Sequence, residues 1–288
     1  MITKASKCQP EILEETAAII RRNEDYSTAN FAHCKTQMEV AKELKSSDSW
    51  CVLIDTRPTA LFRLETFDSE ARISEICLNS DTSLEKILSD IRQDLAKMRI
   101  AQVAVRTSSG DAQMLAAVGF EMDDSYVRFS RVPTESKMMP ILPLLNATQK
   151  EVPILSRMMC DAYKKTDPTI GDSQSAERML RSIMFGSQGR YLAEASFSSG
   201  AFPNLVSACL LTANSAAEAR IAQLFTHPLY RARGLATTAI AIGMNRLASS
   251  GVVRLVGWSR ENNDVLRRLL TKMGFNADRK LVEMVARI

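Results

Sequence analysis

Histidine is scarce in this chain, and its cysteines are scattered. Of the 288 residues only His33 and His227 are histidines, which excludes a multi-histidine metal site within one chain. A Ser-His-Asp triad would have to use one of these two residues. The chain has six cysteines, and no two of them lie within four residues of each other. Zinc and redox motifs of the CxxC type are therefore absent, and we expect buried free thiols and no bound metal.

The chain also lacks long apolar runs and strongly charged runs. The apolar stretch at 236–244 is far shorter than the roughly 18 residues that a membrane span requires. The first residues lead into a polar stretch, so the sequence predicts a cytoplasmic protein with no membrane association. The net charge of +4 is spread thinly, and no basic run is interleaved with aromatic residues. The sequence therefore predicts no nucleic-acid partner.

The chain length favours two domains, and a proline-containing stretch suggests where they join. Pro133, Pro140 and Pro143 lie in the segment 132–148, which also carries a polar run. Because proline fixes φ and removes a hydrogen-bond donor, this segment is predicted to be an extended connector. We expect a first domain at 1–135, a linker at 136–148 and a second domain at 149–288.

A short repeat indicates that the two halves are related. The tetrapeptide Glu-Ala-Arg-Ile occurs at 70–73 and again at 218–221. Each copy is followed by a predicted helix, an apolar strand, a helix that ends in Gly-Phe (119–120 and 274–275) and a final strand. The shared order of elements predicts an internal duplication.

Periodicity predicts mixed α and β structure in the second half. The predicted helices cover 152–163, 175–185, 235–249 and 263–273, and the predicted strands cover 189–197, 204–213, 219–226, 252–258 and 281–287.

The segment 224–236 carries a pattern suited to an anion. A predicted strand runs into a loop, and the loop ends at the N-terminus of a helix, where unpaired N–H groups and the positive end of the helix dipole meet. Gly234 allows close approach of the backbone, and Arg231 and Arg233 add positive charge. The predicted ligand group is dianionic, such as a pyrophosphate.

The same residues carry a family resemblance. Arg231-x-x-Gly234-x-Ala236 resembles the (Q/R)-x-x-G-x-(G/A) acyl-CoA signature of the GNAT acetyltransferase superfamily, and Asn263 with the downstream Gly274-Phe275 resembles a further motif of that family. The resemblance implies an α/β fold of two tandem GNAT-like domains. Each would have a mixed, mostly antiparallel sheet with a splayed parallel strand pair at its centre, flanked by helices.

The first copy is predicted to be degenerate. Its loop at 78–83 has neither arginine nor glycine, and Asp81 would repel phosphate.

The resemblance also implies roles for individual residues. The backbone N–H of Leu224 would polarise the thioester carbonyl, and Asn263 would contact the CoA arm where the parallel strands separate. The remaining residues implied to bind acetyl-CoA lie on the strand and around the start of the helix: Phe225, Thr226, Arg231, Ala232, Arg233, Gly234, Leu235, Ala236 and Thr237.

The acid and the base are less well matched to the family. Many members have a tyrosine acid where this chain has Leu270, so Ser259 is a substitute candidate. Some members have a glutamate base where this chain has Arg220, and the nearby Gln223 is a candidate for that part of the site. Deprotonation through a water chain is an equal alternative. Residues 163–167 either line the acceptor pocket or form a polar loop.

The resemblance implies transfer of an acetyl group from acetyl-CoA to an amine by direct attack in a ternary complex. The alternative is a non-catalytic acyl-CoA sensor or scaffold, because the tyrosine and the glutamate are missing and the first copy is degenerate. The sequence does not identify the amine acceptor, and the oligomeric state is left open.

Overall fold

The computed structural model divides the chain into two compact units. The N-terminal unit comprises residues 1–127 and 280–288, and the C-terminal unit comprises residues 128–279. The structure describes residues 2–22, 41, 50–54, 58–67, 70–78, 83–164, 170, 172–186, 188–201, 203–213 and 217–288.

In chain order the elements are β1 (Ile2–Lys4), α1 (Pro10–Arg22), β2 (Trp50–Ile54), β3 (Pro58–Phe67), β4 (Glu70–Leu78), α2 (Leu84–Lys97), β5 (Gln102–Ser108), α3 (Ser109–Ala117), β6 (Glu121–Arg131), β7 (Leu144–Asn146), α4 (Val152–Tyr163), α5 (Ser173–Met184), β8 (Arg190–Tyr191), β9 (Phe197–Ala201), β10 (Asn204–Ala213), β11 (Glu218–Thr226), α6 (Leu235–Ser249), β12 (Arg254–Arg260), α7 (Asp264–Lys272) and β13 (Asn276–Arg287). In the described part of the chain, no helix is both long enough and apolar enough to cross a membrane.

The sheet of the N-terminal unit has the order β1-β2-β3-β4-β5-β13. Its pairs are antiparallel except β4 with β5, which run parallel from Glu70 opposite Gln102 to Ile73 opposite Val105. Alternate residues of these strands, such as Ile73 and Val105, are buried in a core that includes Ile87 of α2. The period of two therefore places one apolar face of the sheet against the helices.

The sheet of the C-terminal unit repeats this design. Its order is β12-β11-β10-β9-β7, with the end of β6 beside β12, and β11 runs parallel to β12 from Glu218 opposite Arg254 to Ile221 opposite Gly257. The two Glu-Ala-Arg-Ile tetrapeptides thus occupy the same four positions of a central parallel pair. This correspondence confirms the predicted tandem arrangement of two mixed sheets.

Helices cover both faces of the second sheet. Leu210 of β10 packs in a core with α4 and α5, whereas a Cβ on Gly243 of α6 would lie 3.0 Å from Leu211 Cδ1. Neighbouring residues of a strand point to opposite faces, so α6 lies across the sheet from α4 and α5.

Some predicted boundaries are wrong. The predicted strand at 189–197 is instead the short β8, a 3-10 turn at Ala193–Ala195 and the start of β9. Gly200 lies within β9 opposite Leu205, and its φ of +120° is one that favours glycine. Within the predicted linker at 136–148, Leu144–Asn146 pair with β9 as β7.

The compact units also differ from the chain ranges 1–135 and 149–288. The last residues, 280–288, belong to the N-terminal unit, because β13 pairs with β5 from Leu281 to Arg287. An alternating apolar pattern predicts that a segment is a strand, but it does not predict which edge strand of a sheet the segment pairs with.

A buried ion pair holds β13 in the N-terminal unit. Glu283 is only 4% exposed, and its Oε2 lies 2.5 Å from Arg106 Nε and 3.6 Å from Arg72 Nε. The guanidinium of Arg106 also stacks 4.6 Å from the centre of the Tyr126 ring. The carboxylate therefore balances two arginines in a place with little access to water.

Replacing Glu283 with alanine should lower the free energy of unfolding by about 3 kcal/mol, because removing one partner of a buried pair leaves its charge uncompensated. Chemical denaturation of the full chain measures this. Glu121→Ala, at an exposed glutamate of the same unit, is the control and should change the free energy by less than about 0.5 kcal/mol. Equal losses for both variants would contradict the assigned role of Glu283.

Candidate active site

A gap opens between β11 and β12. Their parallel pairing ends at Ile221 and Gly257, although both strands continue. At this point β11 has a bulge: Leu210 of β10 pairs with Gln223 and Leu211 pairs with Ile221, which leaves Ala222 as the extra residue. A bulge bends its strand and increases the twist, so β11 turns away from β12 after Ile221.

The backbone of β11 points into this gap at every second residue. The N–H of His227 donates to the Val206 carbonyl of β10 at 2.8 Å. In an antiparallel ladder, residues alternate between facing a given neighbour and facing away from it. The N–H and C=O of Phe225 therefore face β10, whereas those of Leu224 and Thr226 face away from β10.

Side chains from outside the sheet reach the two carbonyls that face away. The hydroxyl of Tyr163 lies 3.0 Å from the Leu224 oxygen, and Arg231 Nε donates to the Thr226 oxygen at 3.4 Å. Both contacts agree with the alternation, and they leave the Leu224 N–H directed to the gap side of β11.

Gln223 and Tyr163 lie together on the face covered by α4 and α5. The Tyr163 hydroxyl is 3.1 Å from Gln223 Oε1, and Gln223 Nε2 donates to Met179 Sδ at 3.1 Å. A tyrosine hydroxyl has one proton, so Gln223 Oε1 and the Leu224 carbonyl share it. The sequence left the role of residues 163–167 open. Tyr163 contacts the site strand, while 165–167 lie outside the described residues.

The motif arginines are engaged with the protein backbone. Arg231 Nη2 donates to the Ala162 carbonyl at the end of α4 at 2.5 Å. Arg233 Nη2 donates to the Leu229 carbonyl at 3.2 Å, and its guanidinium stacks 5.1 Å from the centre of the Tyr230 ring. The side chains expected to supply charge therefore also fix the shape of the loop between β11 and α6.

Two residues in the left-handed region shape the start of α6. Ala232 has φ of +59° and Gly234 has φ of +78°, and Gly234 is the N-cap residue of the helix. The N–H groups of the first helical turn, from Leu235 to Thr237, have no carbonyl partner within a helix. Together with the positive end of the helix dipole, they form a cradle suited to a phosphate group. Gly234 is exposed, so the cradle is open to solvent.

Of the remaining candidate residues, Ser259 and Asn263 already form hydrogen bonds within the protein. Ser259 is buried, and its hydroxyl donates to the carbonyl of Arg260 at 3.1 Å. Asn263 caps α7, and its Oδ1 accepts the N–H of Leu266 at 3.1 Å. Leu270 is buried, and its Cδ1 would lie 3.6 Å from a Cβ on Gly257. Apolar packing therefore fills the position where many family members have a tyrosine acid.

The cysteines near the site are poor nucleophiles. Cys209 pairs with Leu224 across the ladder, and complete burial raises the pKa of its thiol to about 12. The pKa of Cys160 on α4 is also raised, first by burial and then by the charges of Asp172 and Asp161. Because the thiolate is the reactive form, neither residue is activated for attack on a thioester. In the described part of the chain, no group of His, Cys, Asp and Glu side chains could hold a metal ion.

Comparison with known proteins relates this part of the chain to a family. Residues 159–275, which include β11, the loop and α6, match the model of the acetyltransferase (GNAT) family. These residues form a GNAT acetyltransferase domain. No curated protein matches the chain.

Solved GNAT structures share the fold over the whole chain. A GCN5-related N-acetyltransferase from Sphaerobacter thermophilus is similar with a TM-score of 0.68 at 12% identity, covering 100% of this chain and 95% of that chain. A tandem GNAT protein from the clavulanic acid biosynthesis pathway has a TM-score of 0.68 at 14% identity, covering 100% and 97%. A GNAT-family acetyltransferase from Colwellia psychrerythraea has a TM-score of 0.61 at 10% identity, covering 99% of both chains. At these identities the likeness shows the tandem GNAT fold. The loop of the first copy that was predicted to be degenerate lies mostly at 79–82, outside the described residues.

The positive φ of Ala232 predicts a stabilising substitution in the GNAT loop. Ala232→Gly should raise the free energy of unfolding by about 0.5–1 kcal/mol, because glycine has no Cβ to clash in the left-handed region. Thermal unfolding should show a midpoint about 2 °C higher. Ala241→Gly, at a buried position in the middle of α6, is the matched control and should lower stability by at least about 1 kcal/mol. If Ala232→Gly instead lowered the free energy of unfolding, the backbone at Ala232 would not be strained.

Proposed function

We propose that the C-terminal GNAT domain transfers an acetyl group from acetyl-CoA to an amine by direct attack in a ternary complex. The observation that carries the proposal is the open cradle at the start of α6, placed directly after a strand whose backbone faces an unpaired gap. Acyl transfer is the chemistry of the family, whereas the acetyl donor and the amine acceptor are our inference.

The first step is binding of the donor. The N–H groups of residues 232–237 would hold the pyrophosphate. The N–H groups of Leu224 and Thr226, whose carbonyls already accept from Tyr163 and Arg231, would donate to the pantetheine arm as if it were an added strand. The exposed Gly234 and the unpaired first turn of α6 fit such a group. Arg231 and Arg233 would contribute through the loop shape they maintain as well as through charge. Asn263 would contact the arm from the other side of the gap.

The second step is polarisation of the thioester. The Leu224 N–H, directed to the gap side of β11, would donate to the thioester carbonyl and stabilise the negative charge that develops on its oxygen. Because the strand fixes the direction of this N–H, the donor would not have to move when the negative charge develops. The acetyl group would then lie beside the bulge at Ala222.

The third step is attack by the amine. A bond forms between the amine nitrogen and the carbonyl carbon, the C–S bond breaks, and the sulfur leaves with its electron pair and accepts a proton. Gln223 has no basic group, so it would orient the amine while water carries the proton. The pair formed by Gln223 and the Tyr163 hydroxyl supports this arrangement, because it presents polar groups at the β11 strand. Ser259 remains a candidate acid whose hydroxyl would first have to leave the Arg260 carbonyl.

The second candidate function is an acyl-CoA sensor or scaffold without turnover. Two departures from the family pattern favour this alternative: Leu270 stands where many members have a tyrosine acid, and Arg220 stands where some have a glutamate base. The cradle is required by both functions, so binding alone does not separate them.

Turnover separates the enzyme from the sensor. Purified full-length protein incubated with acetyl-CoA and a panel of primary amines should release free CoA faster than hydrolysis does, because direct attack requires only a neutral amine near the polarised carbonyl. A thiol-detecting assay measures the release, and omission of the amine is the control. Binding of acetyl-CoA without release for any amine in the panel would favour the sensor.

Substitution at Gly234 tests where the pyrophosphate binds. Gly234→Asp should weaken acetyl-CoA binding at least about a hundredfold, because it sets a negative charge beside the phosphates and disturbs several charge-assisted hydrogen bonds. Gly234→Asn is the matched control, since asparagine has the same shape without charge, and it should bind about tenfold more tightly than the aspartate variant. Arg233→Ala should cost less than Gly234→Asp, and isothermal titration calorimetry measures all three.

The design includes asparagine because any side chain at 234 is strained. The φ of +78° and the 3.0 Å distance from a Cβ at this position to Ile141 Cδ1 disfavour both variants similarly. Equal affinities of the aspartate and asparagine variants would place the phosphates elsewhere.

A further inference from the structure

The segment 136–143, which we call the strap, is held at both ends within the C-terminal unit. At one end the Ser136 N–H donates to Asn245 Oδ1 at 2.7 Å, and Asn245 Nδ2 donates back to the Ser136 carbonyl at 2.9 Å. At the other end the Gly200 N–H donates to the Pro143 carbonyl at 3.0 Å. Asn245 lies in the second half of α6, so the strap is tied to the same helix whose start forms the cradle.

Between its ends the strap reaches the N-terminus of α6. The Cδ1 atom of Ile141 would lie only 3.0 Å from a Cβ at Gly234, which is the N-cap residue of the helix. Ile141 is nevertheless 57% exposed. An apolar side chain therefore stands at the edge of the cradle, in contact with the glycine and open to solvent.

Packing within the protein does not account for the exposed position of Ile141. Met138 and Met139 of the strap are also exposed, at 41% and 79%. The strap thus has two anchored ends and three exposed apolar side chains between them. A molecule that covered the strap would remove this apolar surface from water, which is favourable.

We propose that the strap forms a wall of the cofactor site and that Ile141 packs against the diphosphate-bearing half of bound CoA. This inference rests on the proposed function, because it requires the diphosphate to lie at the start of α6. An aliphatic wall excludes water from the cradle, and weaker screening strengthens the attraction between the backbone N–H groups and the phosphates. Ile141 thus favours CoA thioesters over thioesters that lack the nucleotide.

Charge substitutions at this exposed position test the proposal in the full chain. The probes are acetyl-CoA and acetyl-pantetheine, which has the same thioester arm but no phosphate. At low ionic strength, Ile141→Asp should weaken acetyl-CoA binding about fivefold and Ile141→Lys should strengthen it about fivefold, since a unit charge would lie within several ångströms of a dianion. Ile141→Ala should weaken it about threefold, and acetyl-pantetheine should bind all variants within about twofold of the wild type.

Val253 provides the matched control position. It is an exposed aliphatic residue that directly precedes β12, at the opposite end of that strand from the gap. Val253→Asp and Val253→Lys should leave both affinities within about twofold of the wild type. The circular dichroism spectrum of each variant verifies that the fold is kept.

Several results would overturn the proposal while leaving the proposed function intact. These are wild-type affinity for acetyl-CoA in both charge variants, equal effects on acetyl-pantetheine, or the same pattern at Val253. Tighter acetyl-CoA binding by Ile141→Ala would also overturn it, because the side chain would then block the cradle. Failure of the wild-type protein to bind acetyl-CoA would defeat the proposed function and this inference together.

Discussion

The separation of β11 from β12 after Ile221 is the constraint on which the rest of the site depends. While the strands are paired, every N–H of β11 that faces β12 has a carbonyl partner. The bulge at Ala222 turns β11 away from β12 where that pairing ends, and the Leu224 backbone then faces an unpaired gap. A substrate arm with amide groups can complete this incomplete ladder, and a continuous sheet would leave no place for it.

The loop that follows keeps the backbone available to a ligand. Arg231 holds the loop to the end of α4, and Arg233 holds it to the Leu229 carbonyl and the Tyr230 ring. With the side chains engaged in this way, Ala232 is kept in a left-handed conformation that alanine disfavours. The strain is local, and the helix that follows begins at Leu235, where its first N–H groups have no helical partners. The arginines would therefore attract the ligand through their charge, and they also fix the loop whose backbone N–H groups would bind it.

Much of this arrangement could be predicted from the sequence, because the signals are local. The repeated tetrapeptide has the same register in both sheets, and the boundaries of α4 and α6 match the helical periodicity. The strand predicted at 189–197 has the wrong bounds, since β9 begins only at Phe197 and its serine and glycine residues carry little strand preference. The pairing of β13 with β5 could not be predicted, because the pattern of a strand does not specify its neighbour.

Long-range contacts account for what the sequence left open at Tyr163 and missed at Ile141. Tyr163 lies 61 residues before Leu224, and Ile141 lies still farther before Gly234, although each approaches that residue in the fold. No spacing rule connects positions so far apart. The arginines of the motif suggested charge toward a ligand, whereas their side chains are bonded to carbonyls of the protein. A motif thus identifies the residues of a site more readily than the partner of each side chain.

Hydrogen–deuterium exchange of the intact protein with and without acetyl-CoA is the most direct test of the account. The central claim is that the backbone of β11 and the first turn of α6 hold the donor, while the first copy of the repeat does not. The account predicts slower exchange in peptides that cover 222–226 and 232–238 when acetyl-CoA is present, with no change at the start of α2. Protection at the start of α2 equal to that at α6, or no protection at α6 under saturating acetyl-CoA, would contradict it.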